Sequence, residues 1–161
     1  MIILGIDPGY GITGYGVVEF LNNHFRVIDY GVVSTDSKML FSKRIEAIYD
    51  RIGEIIEKYH PDAAAIEELF FNNNITTAIA VAQGRGAALL SCTKHNVPTY
   101  EYTPLQVKQT VVGYGRAEKQ QVQMMIKMIL KLDKIPKPDD AADALGIAIC
   151  HAHSMIGAEQ I

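Results

Sequence analysis

Acidic residues at the ends of apolar segments are the feature of this sequence that could support chemistry. Asp7 directly follows the apolar run Ile2–Ile6, and Glu67 ends a second, shorter apolar run. Asp140 and Asp143 are spaced i, i+3 near the start of the last predicted helix, so both side chains point to one side of it. Charged groups are seldom buried unless they are paired or bind a metal ion. These four carboxylates are therefore candidate ligands for divalent cations.

The oxygen-only composition of this set indicates which cations it would suit. Two bare carboxylates ~4 Å apart repel by ~4 kcal/mol at an effective dielectric of 20, so a cluster of four needs compensating cations. None of the acidic motifs contains its own Lys or Arg. Oxygen ligands without Cys or His favour Mg²⁺ or Mn²⁺ over zinc, and two such ions ~3.5–4 Å apart suit in-line phosphodiester hydrolysis. The alternative is a solvated helix start at Asp140 and Asp143 and a surface charge at Glu67.

Hydrophobic periodicity predicts the elements that would position these acids. The predicted strands are 2–6, 13–20, 24–33, 62–66 and 97–102, and the predicted helices are 40–59, 75–95, 104–112, 119–132 and 139–155. This order describes an α/β fold whose five-stranded mixed sheet combines a three-strand antiparallel meander with two parallel strands and has helices on both faces. A right-handed crossover can place the first and fourth strands side by side, which would bring Asp7 next to Glu67.

Length and composition bound the class of protein. The 161 residues are 48% apolar, which predicts one domain over 1–161 with its own hydrophobic core. No apolar run approaches the ~18 residues needed to span a bilayer, and no signal peptide is recognisable, so a soluble cytoplasmic protein is expected. Cys92 and Cys150 have no metal-ligand spacing and lie in apolar helical contexts, so we expect buried thiols in a reducing compartment.

Charge is distributed unevenly along the chain. The net charge of −3 hides a basic middle, residues 85–137, with a balance of +6, between flanks with balances of −5 and −4. A basic face is what a nucleic-acid backbone requires, although a solvated helix face would produce the same bias. Lys119, next to the glycine-containing loop 113–118, is placed to stabilise charge on a phosphate.

Two glycine-containing segments have alternative interpretations. Gly9, Gly11 and Gly14 match the dinucleotide-binding spacing, but a strand pattern follows them where that motif requires a helix, so a hairpin turn is predicted. The helix predicted over 75–95 contains many small residues, Gly84 and Gly86 among them. These residues would let another backbone approach closely, either that of the sheet or that of a second subunit.

Several motifs together resemble one known family over essentially the whole chain. They are Gly5-Ile-Asp7-Pro-Gly9, Ala65-Ile-Glu67, Gln106-Val-Lys-Gln-Thr-Val-Val-Gly113, Ala117-Glu-Lys119 and Asp140-Ala-Ala-Asp-Ala-Leu145. The set is similar to the RuvC family of bacterial Holliday junction resolvases, within the RNase H-like superfamily. The first motif is shared widely across that superfamily, whereas the third and the last are much more specific.

The resemblance implies a fold, an activity and a set of site residues. It implies an RNase H-like homodimer that nicks opposed strands of a four-way DNA junction during recombination and repair. It implies Mg²⁺, two ions per subunit with Mn²⁺ plausible, and coupling to the branch-migration proteins RuvA and RuvB. The implied metal ligands are Asp7, Glu67, Asp140 and Asp143, with Lys119 also in the catalytic set. The residues expected to contact DNA are Lys108, Arg116 and Lys119, together with Phe70 or Phe71 stacking on junction bases.

Three other functions compete with this hypothesis. Actin-like and sugar-kinase ATPases share a strand and turn of this kind, but they need two such domains. A nuclease of the same superfamily acting on RNA–DNA hybrids or another branched substrate is the closest alternative. A non-catalytic junction-binding module is the third, and the intact acids at all four positions argue against it.

Overall fold

A computed structural model describes residues 1–69 and 75–158. Ten helices and strands lie within these two ranges, in the order that the sequence predicts. They are β1 (Ile2–Asp7), β2 (Ile12–Leu21), β3 (His24–Ser34), α1 (Phe41–Tyr59), β4 (Ala63–Glu67), α2 (Ile75–Lys94), β5 (Thr99–Tyr102), α3 (Pro104–Val112), α4 (Lys119–Ile129) and α5 (Asp139–Ala158).

The strands within these ranges form one mixed sheet in the order β3-β2-β1-β4-β5. β1, β2 and β3 pair antiparallel, whereas β4 runs parallel to β1 and β5 runs parallel to β4. The predicted five-stranded mixed sheet is therefore confirmed. Ile6 of β1 lies opposite Ile66 of β4, so Asp7 and Glu67 leave neighbouring strands at the same edge of the sheet.

Both faces of the sheet are covered by helices, which gives two apolar cores. Successive residues of a strand point to opposite faces, so β1 contributes Leu4 to one core and Ile3 to the other. Leu4 packs with residues of α1 and α2, such as Ile52 and Ala88. Ile3 packs with residues of α3, α4 and α5, such as Ile126. The continuous apolar run of β1 is explained by this burial on both faces.

Element boundaries differ from the predicted ones by more than one residue at three places. β5 begins at Thr99 instead of 97, because the Val97 N–H bonds to the Cys92 carbonyl at the end of α2 and Pro98 has no N–H to donate. α4 ends at Ile129 instead of 132, since Lys131 has a positive φ of 52° that a helix does not accommodate. α5 continues to Ala158, beyond the predicted end at 155.

Two composition-based expectations can be compared with the structure. Cys92 and Cys150 are both buried free thiols, as predicted. Within the described ranges, none of the helices combines the length and apolar character needed to cross a bilayer.

The position of α5 depends on glycines of the sheet beneath it. A Cβ atom on Gly5 would lie 2.0 Å from the Ala144 carbonyl oxygen, and one on Gly14 would lie 2.0 Å from the Asp140 carbonyl oxygen. The backbone of α5 therefore rests directly on β1 and β2, in contact that only glycine permits. This contact fixes the first turns of α5 over the strand ends where Asp7 and Glu67 lie.

We predict that Gly14→Ala separates α5 from the sheet and lowers the free energy of unfolding by about 1–3 kcal/mol or more. The reason is that the new methyl group meets backbone atoms, which cannot rotate away. Urea denaturation measures the change.

Gly11→Ala is the matched control, because its Cβ would meet only the end of the Arg44 side chain, at 3.3 Å. Equal destabilisation by the two substitutions would contradict the close-packing explanation.

Candidate active site

The predicted acids converge on one edge of the sheet. Asp7 is the last residue of β1 and Glu67 is the last residue of β4, and both are half-buried. Asp140 and Asp143 lie in the first two turns of α5 and are also half-buried. The charges of the other three acids all act on Asp7. The structure therefore brings four side chains from three separate elements into one electrostatic neighbourhood.

Burial and mutual repulsion raise the pKa values of acidic side chains at this edge. Burial, followed by the charges of Glu67, Asp143 and Asp140, raises the pKa of Asp7 to about 8, with Lys119 opposing the rise. Burial and the Asp143 charge also raise the pKa of Glu67. Burial raises the pKa of Asp143 as well, although Lys119 works against it. Carboxyl groups perturbed in this way, in a cleft, mark a candidate functional site.

Lys119 supplies a cation that none of the acidic motifs contains. Its Nζ lies 3.1 Å from Asp143 Oδ2 and 3.5 Å from Asp139 Oδ2. Burial alone would lower the pKa of Lys119, but its hydrogen bond to Asp143 and the nearby negative charges raise it. Lys119 therefore remains a charged donor at the acidic edge, where the sequence predicted a phosphate contact.

The start of α4 holds Lys119 at this edge. Glu118 is the N-cap residue and Lys119 is the first helical residue. The Glu118 N–H donates to Gln121 Oε1 at 2.9 Å, within a capping box. The preceding Ala117 is buried in the core formed by α3, α4 and α5. The backbone around Lys119 is thus fixed, while its long side chain can reach the acids.

Asp139 is the first residue of α5 and pairs with a lysine of the loop that precedes it. Its Oδ1 lies 2.6 Å from Lys137 Nζ. Hydrogen bonds from Lys137 and from Gln123 lower the pKa of Asp139 to about 2. Asp139 is therefore a permanently charged neighbour of Lys119. The sequence analysis missed this role because Lys137, Gln123 and Lys119 lie on other segments.

Arg85 is a second positioning residue that the sequence analysis missed. Its Nε donates to the Glu67 carbonyl oxygen at 3.0 Å, and its Nη2 lies 2.6 Å from Glu101 Oε2. The contact ties the end of β4 to α2 and so orients the backbone that carries Glu67. A signal was available in the sequence, since Arg85 is the only charged residue of α2 before Lys94.

The predicted DNA-contacting residues divide into three groups. Lys108 of α3 is half-buried and lines the same cavity as Lys119, beside Glu67. Arg116 is exposed in the loop between α3 and α4. Phe70 and Phe71 lie outside the described residues, so their predicted stacking on bases stays a prediction.

The acids are near one another but are not preassembled as a metal-binding group. Across residues 1–69 and 75–158, no three His, Cys, Asp or Glu side chains are arranged to hold a metal ion. The charges of the other three acids raise the pKa of Asp7, which shows that the four carboxyl groups are near one another. Asp143, however, is hydrogen-bonded to Lys119. The predicted metal ligands therefore stay a prediction. The chemistry of the set, four carboxylates without nitrogen or sulfur donors, fits a hard divalent cation.

Comparison with known sequences identifies the family. A family profile described as "Crossover junction endodeoxyribonuclease RuvC" matches residues 3–151. The chain belongs to the RuvC family. The protein of that name from Alkaliphilus metalliredigens is 62% identical over 154 residues, covering 96% of this chain and 94% of the relative. The RuvC of Clostridioides difficile is 58% identical over the same length, covering 96% and 91% of the two chains.

Solved structures agree with this assignment to the RuvC family. Thermus thermophilus RuvC, solved in complex with a Holliday junction substrate, superimposes with a TM-score of 0.92 at 37% identity and covers 98% of this chain and 96% of that one. The yeast mitochondrial Holliday junction resolvase Ydc2 gives a TM-score of 0.71 at 14% identity, covering 98% and 82% of the two chains. This second likeness concerns the fold alone, and it confirms the RNase H-like architecture expected from the sequence.

We predict that Asp7→Asn makes the metal-free protein more stable at pH 8 and flattens its dependence on pH. Between the ordinary Asp pKa of 3.8 and the folded value of about 8, the folded state binds a proton that the unfolded state has lost. The free energy of unfolding of the native sequence should therefore fall as pH rises through this window, by at most about 1.4 kcal/mol per pH unit from Asp7. Urea denaturation in chelator from pH 4 to 8 measures it.

Asp133→Asn is the control, because it removes an exposed carboxylate from the loop between α4 and α5. This variant should retain the native slope. Asp7→Asn that is no more stable than the native sequence at pH 8 would show that the Asp7 carboxylate is not under electrostatic stress.

Proposed function

We propose that this chain is a structure-selective endodeoxyribonuclease that resolves four-way DNA junctions by paired symmetric nicks, in homologous recombination and repair. The observation that supports it most directly is the meeting of acids from β1, β4 and α5 at one edge, beside Lys119. The close structural likeness to Thermus thermophilus RuvC, which was solved with a Holliday junction substrate, supports the choice of DNA. Nuclease activity of the RuvC family implies use of a divalent metal.

The proposed cofactor is Mg²⁺, two ions per subunit, with Mn²⁺ as a plausible substitute. Asp7, Glu67, Asp140 and Asp143 would hold it, since their oxygen-only donor set suits a hard cation. Bound ions of this kind stabilise the attacking and leaving oxygens of a phosphodiester. Because the pKa of Asp7 is raised to about 8, a cation that binds to its carboxylate at neutral pH releases a proton.

The basic side chains of this edge have positioning roles in the proposal. Lys119 is held between Asp143 and Asp139, so its Nζ would contact a phosphate bound next to the acids. Lys108 lines the same cavity and offers a second ammonium group. Arg116 is exposed on the adjoining loop. Such contacts fix the register of a DNA strand without reading its sequence.

A homodimer is part of the proposal, because two opposed nicks require two active sites related by symmetry. The outward face of α2 is the candidate interface. Ile79 and Leu90 are 59% and 51% exposed on this helix. A Cβ on Gly86 would have no atom from elsewhere in residues 1–69 and 75–158 within 4 Å, whereas one on Gly84 would lie 3.1 Å from the Gly9 carbonyl oxygen. One glycine therefore serves packing within the subunit, and the other leaves room for a second copy.

Further parts of the proposal come from the resemblance alone. We expect Phe70, with Phe71 as the alternative, to stack on junction bases, where such a contact is worth ~1–3 kcal/mol per base. Coupling to RuvA and RuvB and a cytoplasmic location also belong to this group.

We predict that Asp7→Asn abolishes Mg²⁺-dependent cleavage of a synthetic four-way junction while binding of the junction changes by less than about tenfold. The substitution removes a ligand but preserves shape, and the phosphate contacts that dominate affinity remain. Gel-shift titration and strand-nicking assays measure the two quantities. Cleavage by Asp7→Asn at the native rate would refute its role as a ligand.

The same assay, run beside a linear duplex and an RNA–DNA hybrid, separates the proposal from the alternative nuclease. Preference for the junction supports a resolvase. Preference for the hybrid would assign the protein to the other branch of the superfamily.

We predict that Leu90→Glu converts a dimer into monomers at micromolar concentration, because it places a charge on the exposed apolar face of α2. Analytical ultracentrifugation measures the mass, and nicking of junctions should change from paired to single. Met128→Glu is the control, since Met128 is 63% exposed on α4, which packs on the opposite face of the sheet. An unchanged dimer in Leu90→Glu would place the interface elsewhere.

A further inference from the structure

A cavity of about 200 Å³ opens directly beside the acids, between α3, α4 and α5. Four charged residues line it, Glu67 and Asp143 together with Lys108 and Lys119. Its walls are almost entirely apolar and are formed by Pro104, Val107, Val122, Ile126, Gly146 and Ile147. Contacts between the charged residues and a phosphate do not require these apolar walls.

Gly146 of α5 lies close to two other residues that line the cavity. A Cβ on Gly146 would lie 3.0 Å from Ile126 Cδ1 and 3.5 Å from Val107 Cγ1. Ile126 is fully buried, and Val107 and Val122 are nearly so. Protein interiors rarely contain gaps much larger than a water molecule. An apolar recess of this size that opens onto an active site therefore fits a ligand group better than a packing defect.

The size and lining of the cavity indicate the chemistry of its occupant. Pockets for drug-sized ligands measure about 300–1,000 Å³, so this one suits a single planar ring system and not a whole nucleotide. Its apolar residues match the faces of a nucleobase, and the ammonium groups of Lys108 and Lys119, which also line it, match a phosphate. The lining thus combines charged residues that suit the phosphate of a nucleotide with apolar residues that suit its base.

We propose that this cavity receives a nucleobase of the cleaved strand, contributed by a nucleotide next to the scissile phosphate. The inference rests on the proposed function and deepens it, because it adds a base-binding subsite to the nuclease centre. A base must leave its stack to enter, and this costs least where stacking is already interrupted, as at a branch point. Occupancy of the cavity would therefore favour cleavage at the branch point over cleavage within a continuous duplex.

The first test combines a variant with a modified substrate. A junction that carries an abasic residue on the 5′ or the 3′ side of the scissile phosphate should be cut about tenfold more slowly by the native protein when the missing base is the one bound. Gly146→Ala places a methyl group inside the cavity. It should cut the intact junction about tenfold more slowly and should show no further loss on the abasic junction.

The second test measures base insertion without cleavage. In Asp7→Asn, 2-aminopurine at the sensitive position should brighten on binding, because the base leaves its stack. In the double variant Asp7→Asn with Gly146→Ala, this increase should be lost while junction affinity is kept.

Two further variants keep the inference falsifiable if Gly146→Ala fails to fold. Val122→Ala widens the cavity from α4 and should also reduce the abasic penalty. Met124→Ala, on the same helix but facing solvent at 46% exposure, should keep the native penalty. The inference would be overturned if Val122→Ala and folded Gly146→Ala both kept the loss of cleavage rate that an abasic residue causes in the native protein. It would also be overturned if the native protein cut both abasic junctions as fast as the intact one. Failure of the native protein to cut any junction would instead overturn the proposed function.

Discussion

The contact between the backbone of α5 and the glycines of β1 and β2 is the constraint on which the rest of this structure depends. Gly5 and Gly14 let the carbonyl groups of α5 reach the sheet at distances that no other residue would permit. Because α5 lies so close, Asp140 and Asp143 stand over the ends of β1 and β4 instead of above the middle of the sheet. The burial that raises the pKa of Asp7 follows from the same contact.

The clustering of these acids lowers the stability of the fold, and the surrounding residues reduce this loss of stability without removing it. Lys119 is shared between Asp143 and Asp139, and Lys137 is paired with Asp139 as well. Arg85 fixes the end of β4 through a backbone carbonyl and not through a carboxylate, so it orients Glu67 without neutralising it. Asp7 has no such partner in the part of the chain that the structure describes, apart from the general attraction of Lys119. Stability is thus reduced where the proposed chemistry needs concentrated negative charge.

The two faces of the sheet are suited to different tasks. α1 and α2 cover one face and leave apolar side chains of α2 exposed, which suits association with a second copy. α3, α4 and α5 cover the other face, and they contribute Lys108, Lys119, two of the acids and the apolar cavity beside them. A protein built in this way can form a dimer through one layer while the other layer contacts DNA.

Local pattern alone determined much of this protein. All ten elements were predicted in order from local features such as the apolar run of β1, the apolar stripe of α1 and the turn-forming residues between elements. This was possible because periodicity and turn chemistry are properties of neighbouring residues. The four candidate acids were also evident in sequence, since Asp7 and Glu67 end apolar strands and Asp140 and Asp143 are spaced to share one side of a helix. Only the tertiary structure decided which side chains contact these acids and the backbone that carries them. Lys119 with Asp143, Gln123 with Asp139 and Arg85 with the end of β4 join residues that are far apart in the chain. The cavity was equally invisible in sequence, because its walls come from three helices whose mutual packing, and not their individual patterns, leaves a space between them.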